Sequence, residues 1–534
     1  MKVRHASVLI ASALLLGTVS GCPQKAVVSS GKSATKVASA EDLLKSAIHQ
    51  LRPETFSIAA APDKPVSLLN SWRGMLADAK PAGETTEAEA PALPNGWANV
   101  EVQKWLKTEK FDEQDAMHIR DCQLTHAIAT YLAARSNDEL QRVQEVFQYV
   151  VRNIALRGDD DPELPISTYL LLMIGRGSPE DRAWVCASIL KQLRIDSVIV
   201  RPSDAAKVDE DEWLLGVILN DHVHLFDPKL GLAIPSSLEA GGVGSTPALL
   251  NEIASHPEWL QQLAARADQP YRIDADSLKE PSLMAIAEPG YWSRRMSWLE
   301  QVLPSESTCI LFEPVTDDLG RTGLLKRIHA AHPAKTVEEL KLWSYPNRQM
   351  VAARNANQAL LQQLQQALIS FSAPITVKVD PQSGNPSDAV PERKMLKIRI
   401  DQLLGKFEEA TQRYLSIRHL EIETSPLAEV AQLHRRAAED AIYWSGLSKF
   451  EAEEFDAAVE QLAGYVKRFD RKGRWTFAAR SLLAECHVRQ GKFAEAIAAI
   501  ERTISEDPYR EANAVRIKRW KPFAKSAADA GDNK

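Results

Sequence analysis

The sequence predicts an α+β multidomain protein, in which a helix-plus-antiparallel-sheet domain is followed by a mixed α/β region and a helical carboxy-terminal part. Three observations lead to this prediction. Apolar residues recur at helical spacing between 115 and 153, three short β-rich runs follow between 197 and 226, and helical patterns with a recurring motif fill the chain after 393. A block of helices followed by a block of strands is typical of α+β folds.

Composition limits the classes of function. The 534 residues are enough for two to four domains, and 45% hydrophobic with 25% charged residues is ordinary for a globular protein. The net charge of -7 gives no overall basic character, so we expect no nucleic-acid partner. No motif predicts a cofactor.

Five cysteines occur, and four of them lie well inside the chain. These four are far apart and form no CxxC pair, so we interpret them as buried small apolar residues, with disulfide pairing left open: Cys122, Cys186, Cys309 and Cys486.

The first residues have the three parts of an export signal. Lys2 and Arg4 precede an apolar stretch from 8 to 16, which is too short to span a bilayer, and small residues then lead into Cys22. The tetrapeptide 19–22 resembles the lipobox of bacterial lipoproteins. The resemblance implies removal of residues 1–21, lipid on Cys22, and anchoring to the cell membrane or outer membrane, facing the periplasm or exterior. The alternative is an ordinary cleaved signal with a chance cysteine.

Composition shifts divide the rest of the chain. We expect a tether and linker, with short helices near 41–51 and 66–78, then the helix-plus-sheet domain, the mixed region, a Pro/Gly/Ser-rich linker, the helical part and a disordered tail. The corresponding ranges are 22–95, 96–245, 246–373, 374–392, 393–515 and 516–534.

Three segments of the helical part share one motif. The segments 405–410, 453–458 and 491–496 each place Phe three residues before Ala, and two of them begin with Gly. This pattern resembles the second half of a tetratricopeptide repeat, in which glycine turns the chain between two packed helices. The middle segment has Glu453 in place of the glycine. The resemblance implies a concave face that binds a polypeptide partner; unrelated helical hairpins are the alternative.

The stretch from about 140 to 235 carries a second resemblance. Ser178 and Pro179 suit the start of a helix, and β-rich runs follow it. Segment 177–183, segment 213–217 and Phe226-Asp227-Pro228 align in order with the motifs of the transglutaminase-like family, which shares its core with papain-type thiol peptidases. Members of that family use a cysteine at the head of the helix, a histidine and an aspartate on the strands.

The resemblance implies a fold that has lost its reaction. Pro179 stands at the cysteine position, Glu212 or Asp211 at the histidine position, and the aspartate, Asp227, is present. A displaced set of Cys186, His222 and Asp227 remains an alternative, although burial makes a thiol inert.

A helical stripe of His118, Cys122 and His126 could face a metal ion. No fourth ligand is evident, so a core or surface stripe is the preferred interpretation, and we predict no metal site.

The sequence therefore favours a membrane-tethered protein-binding or scaffold function with an inactive transglutaminase-like domain. A cell-envelope thiol hydrolase or acyltransferase with a displaced nucleophile is the alternative, and a purely structural envelope component is the third. Whether the chain is an enzyme stays open, with the missing thiol and imidazole arguing against it.

Overall fold

The computed structural model describes residues 39–56, 61–78, 93–158, 161–203, 212–237, 246–266, 270–379, 382, 386–422, 425–502 and 504–531. The predicted signal segment and Cys22 lie outside these residues. Within them the α+β multidomain fold is confirmed. None of the helices described is both long enough and apolar enough to cross a membrane.

The first half of the chain begins with helices and continues into short strands. The helices are α1 (Ala40–Gln50), α2 (Asp63–Asp78), α3 (Val100–Leu106), α4 (Glu113–Ala133), α5 (Glu139–Asn153), α6 (Thr168–Ile174) and α7 (Pro179–Gln192). The strands are β1 (Ala155–Leu156), β2 (Arg176–Gly177), β3 (Ser197–Arg201), β4 (Leu214–Leu219), β5 (His222–Asp227) and β6 (Leu232–Ala233).

The second half adds two strands to the main sheet, one hairpin and many helices. The strands are β7 (Ser282–Ala285), β8 (Lys341–Leu342), β9 (Ile375–Val379) and β10 (Pro386–Pro391). The helices are α8 (Leu250–Ile253), α9 (Pro257–Gln261), α10 (Arg294–Glu300), α11 (Leu324–Ala331), α12 (Tyr345–Arg354), α13 (Gln358–Leu368), α14 (Lys394–Leu403), α15 (Phe407–Arg418), α16 (Ala428–Glu451), α17 (Phe455–Phe469), α18 (Thr476–Arg489), α19 (Phe493–Ile500) and α20 (Arg510–Gly531).

A six-stranded sheet forms the centre of the molecule, in the order β6-β5-β4-β3-β7-β8. Its strands pair antiparallel except for β7 and β8, which are parallel. Alternate residues of β3 belong to two different buried cores: Ile199 packs with α7, and Val198 and Val200 pack on the other side. Because β7 and β8 come from the mixed region, the sheet continues across the boundary expected at 245.

The two helices predicted within the tether region are present and contribute to a core. Leu44 and Ile48 of α1 and Leu69 and Trp72 of α2 are buried in the cluster on one side of the sheet. Amphipathic helices of this kind bury an apolar stripe against the nearest apolar surface. Both helices therefore pack on the folded body.

Two segments differ from the predictions. The expected linker 374–392 contains an antiparallel hairpin, in which β9 pairs with β10 and Val377 and Ala389 pack on the core. The expected disordered tail 516–534 is helical as far as Gly531, because Ile517 and Trp520 pack against Val488. Both segments gain order from apolar side chains that are spaced among polar ones.

Helices α14 to α20 pack in sequence, each against the next. The turns inside three successive helix pairs share one geometry: Gly405, Glu453 and Gly491 have φ of +83°, +63° and +73°. In each turn the following residue donates its N–H to a carbonyl five positions earlier, as in Glu454 to Lys449. A left-handed residue at this place is the usual way to end a helix, and glycine adopts it without strain.

Replacing Glu453 with glycine is expected to stabilise the protein by about 0.5–1 kcal/mol, because glycine removes the cost of a left-handed side chain. The exposed ion pair of Glu453 with Arg135 (3.2 Å) would be lost, but such pairs contribute little. Urea unfolding measures the difference. Glu453→Ala is the control, since it loses the ion pair and keeps the strained backbone. A glycine variant less stable than the parent would contradict this explanation.

The helical part and the central domain share one core. Tyr149 donates its hydroxyl hydrogen to Leu403 O (2.9 Å), and Arg399 donates to Leu172 O (2.8 Å) at the end of α6. The helices α14, α16 and α18 bury most of their side chains between the array and the central domain. Of these, α16 is buried around most of its circumference. The inner face of the helical array therefore packs against the chain's own central domain.

Candidate functional site

The head of α7 is where the family resemblance places a nucleophile. Ser178 Oγ accepts the Asp181 N–H (3.2 Å), and Asp181 Oδ2 accepts the Ser178 N–H (2.8 Å), while Pro179 occupies the first turn. Tyr345 donates its hydroxyl hydrogen to Asp181 Oδ1 (2.8 Å). Burial raises the pKa of Asp181. The helix start is thus occupied by its own capping groups, and no thiol stands there.

Aromatic side chains from the mixed region cover this end of the helix. Tyr345 lies against Trp184 of α7, with ring centroids 6.2 Å apart, and stacks on Trp343 at 5.2 Å. Trp343 also contacts Trp213, just before β4, at 6.0 Å. All four side chains are buried. This aromatic cluster fills the space between the helix head and β4.

Asp227, at the end of β5, is held by a complete set of partners. Its carboxylate forms an ion pair with Arg272 (3.1 Å), accepts the Tyr271 hydroxyl hydrogen (2.6 Å), and accepts the backbone N–H groups of Lys229 (2.9 Å) and Leu230 (3.0 Å). Asp227 is fully buried. In a triad this carboxylate would orient a histidine; here it anchors the segment 271–272 and the turn after β5.

The remaining family positions also lack the expected chemistry. Glu212 lies just before β4. Burial lowers the pKa of Arg272, but the charge of Asp227, with a smaller contribution from Glu212, raises it above its ordinary value. Asp211, the other residue aligned with the histidine, lies outside the described residues. Arg272 also donates to Trp213 O (3.3 Å). Asp227 is therefore bound by an arginine and a tyrosine, and not by an imidazole.

The displaced set of Cys186, His222 and Asp227 is not brought together. Cys186 is fully buried in α7, and burial raises the pKa of its thiol. His222 is exposed at the start of β5, and Asp227 is five residues further along the same strand, a span of about 16 Å. Side chains separated by an odd number of strand residues point to opposite faces. His222 and Asp227 therefore cannot act on one thiol.

The stripe of His118, Cys122 and His126 on α4 is directed mainly into the core. His118 donates from Nε2 to Leu311 O (2.9 Å), and Cys122 Sγ lies 3.6 Å from that nitrogen and 3.4 Å from the Tyr291 hydroxyl. Burial raises the pKa of Cys122 and lowers those of both histidines. The pair is thus a neutral thiol beside a neutral imidazole. Across the described ranges, no group of three or more potential ligands could hold a metal.

Glu288, which the sequence did not single out, is buried close enough to Cys122 and Tyr291 for its charge to act on both. It follows β7, and its carboxyl accepts the Trp184 indole N–H (2.8 Å). Burial raises the pKa of Glu288 to about 7. A Glu-Pro pair after a strand is visible in the sequence, but its apolar surroundings come from helices more than a hundred residues away.

Stability should therefore depend on pH through Glu288. A raised pKa in the folded state stabilises the protein fully below pH 4.5, and this contribution is lost as the pH rises to about 7. Glu288→Gln keeps an acceptor for Trp184 and cannot ionise, so its advantage over the parent should grow to about 1–3 kcal/mol between pH 4.5 and 8. Unfolding in urea at both pH values tests this. Parallel pH profiles of the two proteins would refute it.

A groove of about 460 Å³ lies between β9 and the helices α15 and α16. Its walls include Val377 of β9, Ser416 in the last turn of α15, and Leu420 in the turn after that helix. Pro426, just before α16, and His434, on α16, complete this side. It is therefore bordered by a strand on one side and by the first helices of the array on the other.

One edge of β9 faces this groove. Glu392 donates its N–H to Pro374 O on the side of β10 (2.8 Å), and Ile375 donates its N–H to His434 Nε2 (3.0 Å) on the other side. Because successive residues of a strand direct their backbone groups to opposite edges, Val377 directs its N–H and C=O away from β10, as Ile375 does. This edge offers main-chain donors and acceptors to an extended chain.

Comparison with known proteins adds no relative. No protein-family model matches the chain, and neither a curated protein nor a solved structure shows significant similarity to it.

Proposed function

We propose that this protein is a non-catalytic, polypeptide-binding lipoprotein, tethered by lipid on Cys22 and facing the periplasm or exterior. Its central part would be a degenerate transglutaminase-like domain, and α14 to α20 would be tetratricopeptide-like helix pairs. The observation that carries the non-catalytic part is the engagement of Asp227 by Arg272 and Tyr271, with Pro179 at the head of α7. Without a thiol and an imidazole the family's reaction has no nucleophile and no base.

The polypeptide is assigned to the groove beside β9. The inner helices of the array pack on the central domain, so that face is occupied by the chain itself. The groove instead combines a lining of polar and apolar side chains with the open edge of β9, and extended peptides add to such edges through main-chain hydrogen bonds. Pockets for alternate side chains would then give specificity.

A photo-crosslinking amino acid placed at Ser416 tests this assignment in the cell envelope. We expect it to capture polypeptide, whereas the same group at Glu408, about 12 Å away along α15, should not. A synthetic peptide from the captured segment should bind the purified protein, and Ser416→Trp should abolish that binding by filling the groove. The matched control is Glu408→Trp, which should leave binding unchanged.

Two results would refute the proposal. Equal crosslinking from both positions would show that the polypeptide does not bind in the groove. Peptide binding that Ser416→Trp leaves intact would show the same. Turnover of glutamine or peptide substrates by the purified protein would contradict the non-catalytic assignment.

A further inference from the structure

The groove beside β9 has a buried base and an exposed rim. The buried residues of its lining are three aliphatic side chains and one imidazole: Ile375, Ile417, Leu420 and His434. The exposed residues of the lining are mostly polar: Thr376, Glu392, Lys394, Ser416 and Pro426. A chain lying in the groove therefore meets mainly apolar surface on one side and polar groups and water on the other.

Successive side chains of β9 alternate between two environments. Ile375, Val377 and Val379 lie on the side of the core, and Val377 packs against it. Thr376 and Lys378 lie on the other side, and both are exposed. An extended chain that joins this edge follows the same alternation, because paired strands direct opposite residues to the same face.

The partner strand β10 has the same two faces. Ala389, opposite Val377, packs on the core, whereas Val390, opposite Thr376, is 39% exposed. The inner face of the hairpin is thus an apolar row, and it ends at Val379, which is 46% exposed. The exposed part of Val379 is apolar surface that a bound side chain can cover.

The charged residues at this groove are paired with each other. Glu392 and Lys394, the charged residues of the lining, form an ion pair (2.7 Å), and Lys378 of β9 pairs with Asp388 of β10 (3.6 Å). Each pair has no net charge, and exposed pairs are screened further by salt. Selectivity for a partner therefore comes from apolar contacts and main-chain hydrogen bonds.

We infer that the polypeptide bound in this groove is an amphipathic strand, with apolar side chains at alternate positions. When such a strand joins the open edge of β9, every second side chain enters the apolar base beside Val377 and Val379. The side chains between them face water beside Thr376 and Lys378. This inference rests on the proposed function and names the class of polypeptide that the groove accepts.

Two labelled peptides of identical composition test the inference with the full chain carrying Cys22→Ser. Valine and threonine alternate in one peptide and come in pairs in the other, so that the second never has valines two positions apart. Fluorescence anisotropy should show the alternating peptide binding about fivefold more tightly or better, because it alone places successive inward valines in the base. Raising the salt concentration about tenfold should change its affinity less than about twofold.

Val379→Thr and Val390→Thr form a matched pair, because they make the same substitution on opposite faces of one hairpin. Val379→Thr should weaken binding of the alternating peptide about threefold, since it places a hydroxyl in the inner row. Val390→Thr should leave the affinity within about 1.5-fold of the parent, with unchanged circular dichroism in both variants.

Equal affinity for the two peptides, or equal effects of the two variants, would overturn the inference. Failure of the alternating peptide to bind a protein that does bind its captured segment would overturn it as well. If both peptides bind equally and Ser416→Trp abolishes both, polypeptide binding in the groove stands and only the preference for an amphipathic strand is lost.

Discussion

Replacing Glu451 with alanine is expected to lower the free energy of unfolding by about 3–5 kcal/mol. Glu451 of α16 forms a two-point ion pair with Arg152 of α5, with distances of 2.7 Å and 3.2 Å. The two side chains are 2% and 5% exposed, so removing the carboxylate leaves a buried guanidinium without its counter-charge. Chemical denaturation followed by circular dichroism measures the loss.

A double variant separates a buried charge from a lost contact. Arg152→Met with Glu451→Leu removes both charges and keeps apolar volume, so it should recover most of the stability lost in Glu451→Ala. A loss below about 1 kcal/mol in the single variant would show that α16 and the central domain are not held together as described.

Replacing Asp227 with alanine should also cost about 3–5 kcal/mol, because Arg272 would be left buried and unpaired beside a Tyr271 hydroxyl without its acceptor. Pro179→Ala is the matched control at another family position. Pro179 is only partly buried at the first turn of α7, so this change should cost less than about 1 kcal/mol. Urea unfolding of both variants provides the comparison. If Asp227→Ala kept its stability within 1 kcal/mol, a structural role for this carboxylate would be excluded.

Local patterns in the sequence predicted much of the secondary structure. The stripe in α5 and the cap at Ser178 appear where the pattern placed them. The strands predicted at 197–200, 213–219 and 222–226 appear as Ser197–Arg201, Leu214–Leu219 and His222–Asp227. The recurring motif also predicted a shared turn, and Glu453 adopts the left-handed conformation of the two glycines. These features depend on neighbours within about ten residues, which is why they can be read directly.

Contacts between distant segments could not be predicted in this way. The pairing of β3 with β7 joins residues about 85 positions apart, and Arg152 meets Glu451 across 299 positions. The helix that replaces the predicted tail depends on Val488 and neighbouring side chains of α18 and α19.

The candidate site likewise combines features that the sequence predicts with contacts that it does not predict. The sequence placed Pro179 in the first turn of a helix and Asp227 at the end of a β-rich run, and the structure has both residues at those places. It could not identify what surrounds them, because Arg272, Trp343 and Tyr345 come from a region whose packing on the sheet is a tertiary property. Arg272 pairs with Asp227, and Trp343 and Tyr345 cover the head of α7.

Alkylation of the folded protein, quantified for each cysteine by mass spectrometry, tests the non-catalytic account most directly. The four cysteines of the described chain are at most 3% exposed, and burial raises the pKa of each thiol, to about 12 for Cys309 and Cys486. A thiol-reactive electrophile should therefore modify Cys122, Cys186, Cys309 and Cys486 only after unfolding. Rapid modification of Cys186 or Cys122 in the folded protein, with substrate turnover that a serine at that position abolishes, would contradict the account.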